Sequence, residues 1–157
     1  MNKYMEVAKE LSDKNLITND GGPFGACIVK DGVIIGKGSN KVLSSNDPTA
    51  HAEIIAIREA SKNINSYDLS GCELYTTCYP CPMCLSAIIW ANIKTVYYGN
   101  TKEDANNIGF KDEYIYNYIK NIDDESNSSI LELKSIDREE TIKTFNSFKE
   151  KNDKIIY

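Results

Sequence analysis

Between residues 3 and 13, Tyr4, Met5, Val7, Ala8 and Leu11 recur at the three- and four-residue spacing of one helix face, which predicts an amphipathic first helix. The period then changes. Ala26-Cys27-Ile28-Val29-Lys30 and Val33-Ile34-Ile35-Gly36 are short apolar runs joined by Asp31-Gly32, the composition of a tight hairpin. Asn46-Asp47-Pro48-Thr49 reads as a helix start, with Asp47 at the N-cap and Pro48 at the first helical position. That helix runs to about Lys62 and buries Ala52, Ile55, Ala56 and Ala60. Residues 73–77 read as a strand, 81–91 as an apolar helix and 94–98 as another strand. Beyond Gly99 the pattern predicts a short helix near 112–120, a polar loop over 123–129, a short strand over 130–133 and a closing helix over roughly 138–150. Strands alternating with helices imply an α/β protein whose partly parallel sheet carries helices on both faces.

Composition narrows the class. A chain of 157 residues is long enough for one domain with a real core and short for two. Eighteen Lys and Arg stand against 23 Asp and Glu, and the resulting charge of −5 argues against a polyanion as the main partner. The alternating signs of Lys134, Asp137, Arg138, Glu139, Glu140 and Lys143 read as a solvated face. No apolar run resembles a signal peptide or approaches membrane-spanning length, so no membrane partner and a cytoplasmic location are expected. Five cysteines, an odd number without a secretion signal, favour metal binding or buried thiols over a disulfide framework.

The candidate chemistry is concentrated in two clusters, His51-Ala52-Glu53 and Pro80-Cys81-Pro82-Met83-Cys84. The chain has one histidine, so any imidazole ligand is His51. One imidazole and two thiolates make a three-ligand zinc site whose fourth position stays open for water. Cys81 and Cys84, three apart at a helix start, project from one face of its first turn, where the positive dipole end favours thiolate. His51 and Glu53, two apart, do not face each other on a helix; they meet only if the metal sits off its N-terminal end. His-x-Glu followed by Pro-Cys-x-x-Cys is the signature of zinc nucleobase deaminases, in which the glutamate carries protons. Other readings stay open. Cys78 could join as fourth ligand of a closed structural site, leaving a zinc-stabilised binding module. The Cys78-x-x-Cys81-x-x-Cys84 run resembles the start of an iron–sulfur motif, but position 88 is Ile88, where the next cysteine would fall. Glu53 favours catalysis, since a structural site has no use for that carboxylate. Cys27 and Cys72 read as buried thiols, and Tyr97 and Tyr98 as core residues. Phe24, inside the Gly21-Gly22-Pro23-Phe24-Gly25 loop, suits either plain turn packing or stacking on a flat ring.

At these residues the chain resembles the cytidine-deaminase-like superfamily, and within it the small bacterial guanine deaminases. The matching stretches are 21–26, 29–32, 45–53 and 80–85, with Trp90-Ala91 and Gly109-Phe110-x-Asp112, and the likeness spans nearly the whole chain. The resemblance implies a three-layer α/β/α fold with a mixed five-stranded sheet. It implies hydrolysis of guanine to xanthine and ammonia, with one Zn2+ per subunit on His51, Cys81 and Cys84 and proton transfer by Glu53. Phe24, Asn40, Trp90 and Asp112 would line the base pocket, with Asp112 as a second proton carrier. It further implies a single domain over 1–157 in a homodimer that can exchange C-terminal segments (about 135–157), so that Tyr157 closes the partner's site. One departure stands out: the residue before Pro-Cys is commonly glutamate in these families and is Tyr79 here. This leaves another aminopurine, a nucleoside or an aminotriazine as alternative substrates. Cytosine or cytidine is a further rival substrate. A tRNA adenosine deaminase shares the zinc motif but would need a basic surface for an anticodon loop.

Overall fold

The computed structural model describes residues 1–122 and 130–157; the polar loop expected over 123–129 lies outside the described residues. The chain divides into two units, Met1–Asn117 and Tyr118–Tyr157.

The first unit is built on a sheet of order β2-β1-β3-β4, from strands β1 (Gly25–Lys30), β2 (Val33–Ser39), β3 (Glu73–Cys78) and β4 (Thr95–Asn100). β1 runs antiparallel to β2 and β3, while β3 and β4 are parallel. The β1–β2 turn is the expected hairpin. Asp31 and Gly32 both take positive φ, at 49° and 78°, which is the backbone a two-residue turn needs to match strand twist. Side chains alternate across the sheet with a period of two. Ala26, Ile28 and Leu74 therefore face one core, with Ala52, Ala56 and Ala60 of α3 (Ala52–Asn63) and Ile88 of α4 (Pro82–Trp90). Cys27, Val29 and Tyr75 face the other, against Tyr4 and Val7 of α1 (Lys3–Thr18). One helix on one face and two on the other make the three layers.

Helix α1 extends past the predicted residue 13 to Thr18, because Asn19 supplies a left-handed C-cap (φ 55°) whose N–H bonds the Asn15 carbonyl. Two short helices were not signalled by any periodicity: α2 (Val42–Ser45) and α5 (Lys102–Asn107), the latter closed by a Thr101–Asp104 capping box. α6 (Glu113–Lys120) and α7 (Arg138–Glu150) form close to where the pattern puts them.

Three expectations are corrected. Asp47 does not cap α3: its carboxylate accepts from the Thr49 N–H (2.8 Å) and hydroxyl (2.6 Å), forming a local turn, and the helix starts four residues later with His51 as N-cap. The predicted strand over 130–133 is absent, so the described sheet has four strands rather than five. Its alternating pattern is present, but a strand exists only through ladder bonds to a neighbour, and these residues make none among the described residues. Tyr97 and Tyr98 are 45% and 49% exposed rather than core, since β4 has a described neighbour on one side only. No helix among the described residues is long and apolar enough to cross a membrane.

Candidate active site

Two helix N-termini converge at one point. His51 is the N-cap of α3 and Cys81 the N-cap of α4, each in extended backbone (φ −72°, ψ 156° and φ −66°, ψ 168°). Extended N-caps turn these side chains off the ends of their helices, which removes the objection that residues 51 and 53 diverge on a helix surface. Cys84 follows in the first turn of α4, and Pro82 occupies the first turn, where its missing N–H costs no helical bond.

The Sγ atoms of Cys81 and Cys84 lie 3.5 and 3.6 Å from His51 Nδ1. All three ligand atoms fall within 4.8 Å of one another. A tetrahedral zinc with Zn–S near 2.3 Å and Zn–N near 2.0 Å holds its sulfur and nitrogen ligands about 3.6 Å apart. The donor set and spacing therefore fit zinc. Cys78 does not complete a closed site: its thiol donates to the Thr101 carbonyl (3.5 Å), and burial pushes its pKa up to about 11. Among the described residues the ligand group contains three members.

Proton sharing between the two cysteines is already asymmetric. Contact with Cys84, with help from His51, brings Cys81 down to about 4, while the neighbouring Cys81 sulfur, burial and the Glu53 carboxylate push Cys84 strongly up. Glu53 sits beside them, 6% exposed. It accepts from Thr76 Oγ1 (2.9 Å, through Oε1) and from Cys84 Sγ (3.5 Å, through Oε2). Burial raises its pKa despite the Thr76 bond.

A cavity of about 390 Å3 opens over this cluster. His51, Glu53 and Cys81 lie on its floor side, with Phe24, Asn40 and Asp112 among its walls. Phe24 meets Phe110 edge to face (4.9 Å, 84°), giving the cavity two aromatic walls. Asn40 Oδ1 accepts from the Val42 N–H (3.1 Å), which fixes the orientation of its carboxamide. The Asp112 carboxyl is raised by burial and by the nearby Cys81 thiolate. Trp90, at the end of α4, is 68% exposed and is not among the cavity's walls. Tyr157 belongs to the second unit and is exposed.

Residues 1–100 match the family described as the cytidine and deoxycytidylate deaminase zinc-binding region. The chain belongs to that family. Within it, the chain is similar to the guanine deaminase of Bacillus subtilis, 52% identical over 116 residues covering 74% of each protein. The crystal structure of guanine deaminase from Bacillus subtilis superposes with a TM-score of 0.90 at 43% identity, over 100% of this chain and 99% of that one. It is also similar to a tRNA-specific adenosine deaminase from Haemophilus influenzae, 40% identical over 130 residues, 82% of this chain and 75% of that relative.

Other residues of this deaminase site escaped the sequence reading. Asn15 of α1 donates through Nδ2 to the carbonyls of Gly22 (2.8 Å) and Asn40 (2.7 Å), tying the glycine loop to Asn40. Gly21 is required there, because a Cβ would stand 2.0 Å from Asn40 Oδ1. Thr76, which holds Glu53, is one of two adjacent buried threonines in β3, and a threonine pair in a strand is a signal of inward hydrogen bonds.

Proposed function

We propose that the protein is a zinc-dependent aminohydrolase that converts guanine and water to xanthine and ammonia. The observation that carries the reaction type is Glu53, a buried carboxylate beside an open three-ligand metal cluster at the base of a cavity. Likeness to the Bacillus subtilis guanine deaminase over the full length, including residues beyond the zinc-binding region, supports the choice of base.

His51, Cys81 and Cys84 would hold zinc, whose Lewis acidity would make water nucleophilic near neutral pH. The flat ring packs against the aromatic wall that Phe24 and Phe110 form together, and Asn40 hydrogen-bonds its edge. Glu53 takes the proton of the attacking water and returns it to the adjacent ring nitrogen. A second proton then leaves with the amino group as ammonia, with Asp112 as a further carrier. Thr76 keeps one Glu53 oxygen occupied, so proton traffic runs through the other.

The small cavity and the charge of −5 favour a free base over an RNA loop. The family likeness also supports a homodimer with exchanged C-terminal segments and Tyr157 at the partner's site. Ammonia release from guanine, guanosine, adenine, cytosine, cytidine and an anticodon stem-loop tests the reading. Guanine should be hydrolysed fastest; deamination of the RNA alone would replace it with tRNA adenosine deamination.

A further inference from the structure

A second cavity, about 370 Å3, lies beside the base cavity, and the two share Tyr79, Ala105 and Asp112 as walls. Tyr79 therefore stands on the partition between them. Its ring is held by two neighbours, Lys102 and Tyr98. The Lys102 ammonium lies 4.5 Å from the Tyr79 centroid and 3.9 Å from that of Tyr116, so one cation bridges two aromatic faces. Tyr116 is itself anchored, donating its hydroxyl to the Pro80 carbonyl at 2.8 Å, immediately before the ligand Cys81. Tyr98 abuts Tyr79 edge-on at 5.1 Å. The Tyr79 backbone is fixed too, its N–H bonding the Asn100 carbonyl at 2.8 Å. A side chain restrained at this many points acts as a wall.

The second cavity is polar in a way the first is not. Its remaining walls include Asn106 and the Tyr116 phenol, suited to a polyhydroxyl group. Its charges are the carboxylates of Glu103, Asp112 and Glu113 against the single Lys102 ammonium, a balance hostile to phosphate. Each cavity alone is near the small end of the roughly 300–1,000 Å3 range of ligand pockets, which suits a bare base better than a base with a sugar.

We propose that Tyr79, clamped by Lys102 and Tyr98, is the specificity-determining wall that confines the site to an unsubstituted base and excludes its nucleoside, whose sugar would need the second cavity. The proposal rests on the reading of this site as a nucleobase deaminase. The reaction is unchanged; only the substrates admitted to it differ.

The test measures kcat/KM by ammonia release for guanine, guanosine and guanosine monophosphate, with zinc content and circular dichroism alongside. Zinc-loaded wild type is set beside Tyr79→Ala, Tyr79→Phe and Lys102→Gln. Tyr79→Ala should raise the guanosine-to-guanine ratio at least about tenfold, equivalent to 1.4 kcal/mol of discrimination, chiefly through the guanosine KM. Tyr79→Phe should keep the wild-type ratio, because the ring and not its hydroxyl is the wall. Lys102→Gln should raise the ratio by a smaller factor, and the monophosphate should gain least in every variant. A folded, zinc-containing Tyr79→Ala with the wild-type ratio overturns the proposal, as does a Tyr79→Phe relaxed as far as the alanine variant. If Tyr79→Ala does not fold, Tyr79→Leu and Lys102→Gln decide, and an unchanged ratio in both overturns it. Wild-type turnover of guanine separately tests the underlying reading. If another base is preferred, that reading fails while the same ratio is taken for that base and its nucleoside.

Discussion

Glu53 is the proposed proton carrier, and Asn15 ties the Gly22 and Asn40 carbonyls together. Glu53→Gln keeps the size and the bond from Thr76 but removes the proton acceptor, so turnover should fall by about 10²–10⁴-fold while zinc remains bound. Steady-state ammonia release and metal analysis on the same preparation check this; loss of zinc together with activity would make Glu53 structural. Asn15→Ala would strand the Gly22 and Asn40 carbonyls and release the loop that aligns Asn40. Stability should drop by about 1–3 kcal/mol in urea unfolding, with KM for guanine rising more than kcat falls. The metal ligands and Glu53 were legible in the sequence because their chemistry depends on residue type and short spacing. Asn15 and Thr76 were not, because each acts on a partner remote in sequence, 25 positions away at Asn40 and 23 at Glu53.

Among the elements, the hairpin, β3, β4, α4 and α7 were readable because their signals are local: apolar period, Asp-Gly and the apolar Cys81–Ala91 run. The start of α3 was misread because Asp47-Pro48 satisfies two structures equally well from sequence, a helix cap and a side-chain turn. The 130–133 stretch was misread because alternation describes a strand's faces and says nothing of its neighbour. Packing of α1 on β1 carries its own pH dependence. Cys27 is fully buried between them, its thiol donating to the Tyr4 carbonyl (3.4 Å), and desolvation pushes it up to about 11. The folded state thus holds this proton more tightly than the unfolded chain. The associated stability is complete below the ordinary thiol pKa near 9 and is lost as pH rises through about 11. Unfolding free energies from urea titrations at pH 8 and pH 11.5 should fall less for Cys27→Ala than for wild type, the difference being about 2–3 kcal/mol.

At the level of the whole molecule, the proposed role of Tyr157, the last residue of the second unit, is open to direct test. Deleting Tyr157 should raise KM for guanine or lower kcat severalfold with an unchanged melting curve, measured beside a light-scattering mass that distinguishes the 17.6 kDa chain from its dimer. Unchanged kinetics would remove Tyr157 from the site. The sequence by itself determined the fold class, the metal ligands and the reaction type, since hydrophobic period and ligand chemistry are properties of residues a few positions apart. Only the tertiary structure decided that His51 is a cap, that Cys78 is occupied by the Thr101 carbonyl and the metal side left open, and that Tyr79 divides two cavities. Those depend on which distant backbones end at the same point, and the tertiary fold brings residues 40, 53, 79 and 112 around one pocket.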